Sequence, residues 1–162
     1  MSIYNPRQVA LVTSRAEVNL IGKSVLKDNI ITVAWHMPVS FEPMLYAVSI
    51  GKTRFSCRLI KESKAFAVNF MPFELQKNAL FCGTNSGEHI DKFEKSGLEK
   101  EECSSIDCPR IKDALAHIEC EVINEIDAGD HIIFLAKVLK SEEKKEGKRL
   151  FQDEGRRFTT TQ

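Results

Sequence analysis

Residues 36–56 read HMPVSFEPMLYAVSIGKTRFS. Pro38 and Pro43 bracket Val39-Ser40-Phe41-Glu42, an apolar run Met44–Ile50 follows, and Gly51-Lys52-Thr53-Arg54-Phe55-Ser56 sets two cations among small hydroxyl residues. The apolar run is short and rich in aromatic and β-branched residues, which predicts a buried strand. The prolines predict a kinked loop ahead of it. Over Arg54–Ser63, Phe55, Leu59 and Ile60 fall on one face before polar Lys61-Glu62-Ser63, and this predicts a helix. The order is thus loop, strand, turn, helix. Gly51 lets a ligand approach the backbone, and Lys52, Arg54 and Ser56 at a helix N-terminus suit an anion such as a phosphate. An ordinary strand-turn-helix with a serine cap and surface cations fits the same residues.

Outward from this segment, Gln8–Ser14 and Ile30–His36 also read as strands, as does Ala65–Phe70 after the helix. Glu74–Cys82 and Ile90–Lys95 carry helical patterns, separated by the loop Gly83-Thr84-Asn85-Ser86-Gly87, with Gly97 placed to end the second. His117–Ile126 alternates, a turn Asp127-Ala128-Gly129-Asp130 follows, and His131–Ser141 runs back as the partner of a hairpin. The mixed-charge run Ser141–Arg149 reads as a solvated turn, and Leu150-Phe151 with Arg156–Thr160 as a short last strand. The links between the early strands are too short for βαβ crossovers. The expectation is a mainly β fold with helical insertions, an antiparallel barrel, in one domain over 1–162.

Composition narrows the function. Lys+Arg and Asp+Glu are both 23, so nothing favours nucleic acid as a partner. No window approaches the roughly 18 consecutive apolar residues of a membrane span. The N-terminus lacks the pattern of a signal peptide, and the five widely spaced cysteines read as reduced thiols, so a cytoplasmic location is expected. Cys82, His89, Cys103 and Cys108 lack a C-x2-C element or a repeated ligand spacing, and no metal site is expected. There is no G-x-G-x-x-G, no phosphate-loop motif and no nucleophile elbow, and no histidine shows a recognisable triad order. A bound nucleotide must be held some other way. Trp35, the single tryptophan, ends the run Thr32-Val33-Ala34-Trp35 and fits either a core position or the wall of a flat aromatic ligand.

The segments PRQVALVTS (6–14), ITVAWHMPVSFEPMLYAVSIGKTRFSCRLIKESKAFAVNF (31–70), GTNSGEHIDKF (83–93) and GDHIIFLAKV (129–138) together resemble the flavin reductase-like family, and within it the flavoredoxin branch. The resemblance implies an FMN-binding split β-barrel working as a homodimer. It implies that Thr32, Val33, Ala34, Trp35, Ser49, Ile50, Gly51, Lys52, Arg54, Phe55 and Ser56 wrap FMN, with Lys52, Arg54 and Ser56 at the phosphate. Pro38–Pro43 would shape the wall beside the ring, where Pro43-Met44 stands in place of the family's usual Pro-Pro. His131, in Gly129-Asp130-His131, would lie on the nicotinamide side, and Ser86, Asp91 and Lys92 match a further family motif that capping or subunit contact also explains. The implied activity is an NADH- or NADPH-dependent flavin or ferric reductase. The alternatives are an FMN electron carrier between partner proteins, with a protein electron acceptor, and a non-redox binding module on the same scaffold.

Overall fold

The computed structural model describes residues 2–161. Its strands are β1 (Arg7–Gln8), β2 (Ala10–Leu20), β3 (Lys23–Val33), β4 (His36–Ser40), β5 (Leu45–Gly51), β6 (Ala65–Phe70), β7 (Lys100–Glu102), β8 (Pro109–Ile111), β9 (Ala116–Ala128), β10 (His131–Glu143), β11 (Phe151–Glu154) and β12 (Arg157–Thr159). The helices are α1 (Phe55–Ser63), α2 (Gln76–Thr84), entered through a 3-10 turn at Phe73–Leu75, and α3 (Lys92–Ser96).

Seven strands form one antiparallel sheet in the order β3-β2-β6-β9-β10-β5-β4. β3 and β4 stand at opposite ends of that order, yet only Ala34 and Trp35 join them. A link from Val33 to His36 spans at most about 11 Å. The two sheet edges therefore meet in space, and the sheet curls into a barrel with its seam at Trp35. Val12, Val33, Val48, Ile50, Phe66, Val68 and Phe134 fill the interior.

This corrects the expected strand Ile30–His36. The chain leaves β3 at Val33 and restarts at His36 in β4, which pairs with β5. Pro38 is tolerated there because β4 is an edge strand that needs no donor on its free side. The Pro-bracketed loop of the sequence is thus half strand, and the turn proper holds a cis Glu42-Pro43 peptide. His36 is structural: its ring nitrogens lie 2.6 Å from the Tyr46 hydroxyl and 2.8 Å from the Gln8 carbonyl oxygen.

β2 and β3 also run further than expected, to a two-residue turn at Ile21-Gly22 with both φ values positive (52° and 75°). β2 is covered on both faces, which explains its nearly continuous apolar start. Ala10 and Val12 face the barrel interior, while Val9 and Leu11 join Ile30, Met71, Ala79, Cys82, Phe93 and Leu150 beneath α2 and α3. Helix α1 packs Phe55 and Leu59 on Ala16 and Val18 further along β2. The expected hairpin stands as β9 and β10, each 13 residues long, with two register shifts that bend the pair around the barrel.

Three smaller features lay outside the sequence expectation. β7 and β8 form a short hairpin, and the expected short last strand is two strands, β11 and β12, with β11 pairing to β1 on its other side. β10 continues to Glu143, so the charged run begins inside a strand. The outward face of the barrel is apolar across β4, β10 and β9: Met37 (59% exposed), Val39, Ile123 and Ile126 stand open, with Ile133 and Leu135 between them.

Candidate functional site

A cleft of about 580 Å³ runs along β3, within the usual range for a small-molecule site. Its walls are Thr32 at the end of β3 with Ala34 just beyond it, the turn into α1 and its start (Thr53 to Ser56), the α2 end with the Gly83–Gly87 loop, Lys92, and the β11–β12 turn with Arg156. Among the described residues three cations line it, Arg54, Lys92 and Arg156, and no carboxylate does. That composition selects for an anion.

The start of α1 reinforces the selection. Its cap residue is Arg54, extended at φ −77° and ψ 139°, with no side chain capping the helix and no acidic residue in the first turn. The expected serine cap is absent because Ser56 lies inside the helix, buried, and accepts from Asn29 Nδ2 at 2.8 Å. Cys57 N donates to the Arg54 carbonyl at 3.0 Å, and the amides ahead of it in the first turn keep their partial positive charge for whatever occupies the cleft. Asn29 Oδ1 is buried and has no hydrogen-bond partner, leaving an acceptor suited to a ligand hydroxyl.

Lys92 enters from the other side. It is 3% exposed, and its Nζ donates to the Ile30 carbonyl (2.8 Å) and the Cys82 carbonyl (2.7 Å). An ammonium carries three donors, so one is left over. Burial, with Arg54 as a minor contributor and Cys82 opposing, pushes the Lys92 pKa down to about 8, so the group is still charged at neutral pH. Asp91 beside it caps α3, accepting from Phe93 N at 2.9 Å and Glu94 N at 3.1 Å, as its capping pattern suggested. Close packing closes the cleft floor. A Cβ on Gly87 would sit 1.9 Å from Asn29 Oδ1, and one on Gly83 would sit 3.1 Å from Thr32 Cβ. Thr32 Oγ1 itself donates to the Ala79 carbonyl at 2.6 Å.

The remaining expected positions divide. Val33 and Ile50 point into the barrel core, so only their backbone is available outside it. Ser49 N donates to the Trp35 carbonyl oxygen at 2.9 Å, fixing the seam to β5. Gly51 closes β5 opposite His131, and a Cβ there would meet Arg54 Cγ at 3.4 Å and His131 Nε2 at 3.9 Å. Trp35, 52% exposed, sets its ring 4.9 Å from the His131 ring, and His131 Nδ1 lies 2.6 Å from Asp130 Oδ1. Trp35 and His131 thus make an aromatic corner beside the Gly51–Arg54 turn. Lys52 stands apart from the cleft: both carboxylate oxygens of Asp127 hold its Nζ at 2.9 Å. Sequence spacing placed Lys52 and Arg54 together, but a turn sends alternate side chains different ways.

Sequence reasoning missed Asn29, Gly87 and Arg156. Asn29 lies just before the expected strand Ile30–His36, and Arg156, expected to begin a short last strand, sits in the β11–β12 turn that faces the cleft. Gly87 had a usable signal as the second glycine of a short polar loop.

The family model for the flavin reductase like domain matches residues 1–161. An uncharacterized protein of Archaeoglobus fulgidus is 39% identical over 120 residues, which is 74% of this chain and 68% of that one. The chain spans less of several other curated relatives. Among solved structures, an FMN-binding protein from Thermus thermophilus with bound 1-cyclohex-2-enone superposes with TM-score 0.84 at 23% identity, covering 98% of this chain and 88% of that one. Flavoredoxin from Methanosarcina acetivorans superposes with TM-score 0.79 at 23% identity, covering 99% and 87%. These two share the barrel. With the family match over nearly its whole length, the chain belongs to the flavin reductase like family.

Proposed function

We propose that the chain is an FMN-binding oxidoreductase of the flavin reductase type: one domain over 1–162, a homodimer in the cytoplasm, drawing electrons from NADH or NADPH and passing them to free flavin, ferric iron or a protein acceptor. The observation that carries this reading is the cleft whose charged lining is Arg54, Lys92 and Arg156 without a carboxylate, set against an uncapped helix N-terminus. A phosphate monoester matches that environment.

The residues present fit FMN. Arg54, Ser56, the first-turn amides of α1 and Lys92 hold the phosphate, with Lys92 keeping its proton at Nζ. Asn29 Oδ1 accepts from a ribityl hydroxyl. β3 ends the sheet order, so its outer main-chain groups at Thr32, with those of Ala34 just beyond it, would meet the ring edge. Trp35 and His131 do not line the cleft itself, and in this reading their tilted pair stands at its margin, on the nicotinamide side. When bound, the flavin supplies the two-electron exchange with the nicotinamide. Lys52, held by Asp127, steadies the turn from the outside and is not a phosphate ligand in this reading. The open apolar face with Met37 and Ile126 supports the homodimer, because a second copy would cover it.

The test is to follow NADH and NADPH oxidation by the purified protein with FMN supplied. Saturable turnover of either nucleotide is expected. Flavin binding with slow nicotinamide oxidation and fast reduction by a partner reductase would move the reading to an electron carrier, and no affinity for flavin would overturn it.

A further inference from the structure

The hairpin β7–β8 lies outside the cleft and carries two cysteines at its turn, Cys103 and Cys108. Its ladder pairs Lys100 with Ile111, Glu101 with Arg110 and Glu102 with Pro109. One step further the same register sets Cys103 against Cys108, and Cys103 N donates to the Cys108 carbonyl at 3.0 Å. Cys108 N turns instead to the Ile106 carbonyl at 3.0 Å, and the two thiols lie within hydrogen-bond reach of each other. Cross-strand antiparallel partners have Cα atoms about 4.5–5.5 Å apart, inside the ~4.4–6.8 Å window that a disulfide requires.

The turn between them is fixed in advance. Buried Glu119 accepts from Ser104 N at 3.1 Å and Ser105 N at 2.7 Å. Arg15 holds Glu102 at 2.8 Å and Asp107 at 2.9 Å, so one guanidinium grips the neighbour of each cysteine. Cys103 is half-exposed, while Cys108 is fully buried and donates to the Thr13 carbonyl at 3.3 Å. Burial, and then the Cys103 thiol beside it, push the Cys108 pKa up. One thiol is reachable from solvent and its partner waits behind it, protonated.

We propose that Cys103 and Cys108 form a dithiol site that exchanges with low-molecular-weight disulfides and closes into a cross-strand bridge. The Cys103 thiolate attacks one sulfur of the small disulfide, whose S–S bond breaks and releases one thiol. Cys103 then carries the other half as a mixed disulfide. Cys108 then attacks the Cys103 sulfur, breaking the mixed S–S bond and expelling the second half, and its proton passes to that departing sulfur, which leaves as a thiol. Two protein thiols are oxidised to one disulfide, and one small disulfide is reduced to two thiols. Cys120, the third thiol near Cys103, is not the partner, because its side chain belongs to the barrel core.

The test incubates the reduced full chain with excess oxidised glutathione, quenches with acid and alkylating agent, then counts thiols and maps tryptic peptides. Loss of two of the five thiols is expected, with a mass loss of two hydrogens in the peptide 101–110, which holds both cysteines. Cys103→Ser should keep its four remaining thiols, and Cys108→Ala should stop at glutathione bound to Cys103. Retention of all five thiols by the wild-type chain, arrest of that chain at the mixed disulfide, or a bridge from Cys103 to Cys120 would each overturn the proposal.

Discussion

Replacing Lys92 with methionine isolates the buried cation of the cleft. The substitution keeps length and apolar bulk while removing a charge that two carbonyls already hold, at 2.8 and 2.7 Å. A hydrogen bond to a charged group is worth about 1.5–3 kcal/mol, and each ~1.4 kcal/mol is tenfold in affinity. FMN should therefore bind Lys92→Met about 10- to 100-fold more weakly at pH 7. Riboflavin, which has no phosphate, should bind both proteins alike. The pH dependence follows from the depressed pKa of about 8. The charged form binds the anion and is fully present below that pKa. Wild-type affinity should accordingly be flat below about pH 8 and weaken above it, by at most about tenfold per pH unit, whereas the variant should stay flat through the same range. Flavin fluorescence titrations between pH 6.5 and 9 read both effects, with circular dichroism confirming that the variant folds. Equal FMN affinity in the two proteins, an equal loss for riboflavin, or the same slope in the variant would refute the phosphate role of Lys92.

Three further outcomes follow from particular contacts. Asn69→Leu removes Nδ2 donation to the Leu11 carbonyl (2.8 Å) and Thr13 Oγ1 (3.1 Å) and leaves the Ile111 amide without its acceptor, in a fully buried site. Each orphaned buried group costs about 1–3 kcal/mol, so urea denaturation should show a loss of at least about 2 kcal/mol. Gly87→Ala drives a methyl to within 1.9 Å of Asn29 Oδ1, so both stability, by about 1–3 kcal/mol, and FMN affinity should fall, because Asn29 also holds Ser56; an unchanged affinity would detach that loop from the site. Met37→Asp puts a carboxylate on the open apolar face, and analytical ultracentrifugation should find the wild-type chain sedimenting as a dimer and the variant as a monomer; a monomeric wild-type chain would overturn the proposed dimer.

The barrel was legible wherever strands were short and apolar. The strands expected at Met44–Ile50 and Ala65–Phe70 formed, the first shifted by one residue to Leu45–Gly51, because their residues fill the interior, and Gly97 ends α3 at φ 73° as its position implied. The second half of β2 was hidden: Arg15, Glu17 and Asn19 alternate with Ala16, Val18 and Leu20 at the sheet margin. Its turn puts Ile21 at φ 52°, a conformation that a β-branched residue signals poorly. The start of α1 and Arg54 were readable because glycine, cations and a helix pattern are local signals. Asn29 and Arg156 were not, since they reach the cleft through long-range pairing that spacing along the chain does not encode.

The most direct test of the account is a titration of the purified chain with FMN, read by quenching of flavin fluorescence. Saturation at one FMN per chain, with affinity weakened by Arg54→Ala and by excess inorganic phosphate, is the predicted result. A chain that leaves flavin fluorescence unchanged, or one whose affinity ignores both the substitution and the phosphate, would contradict it.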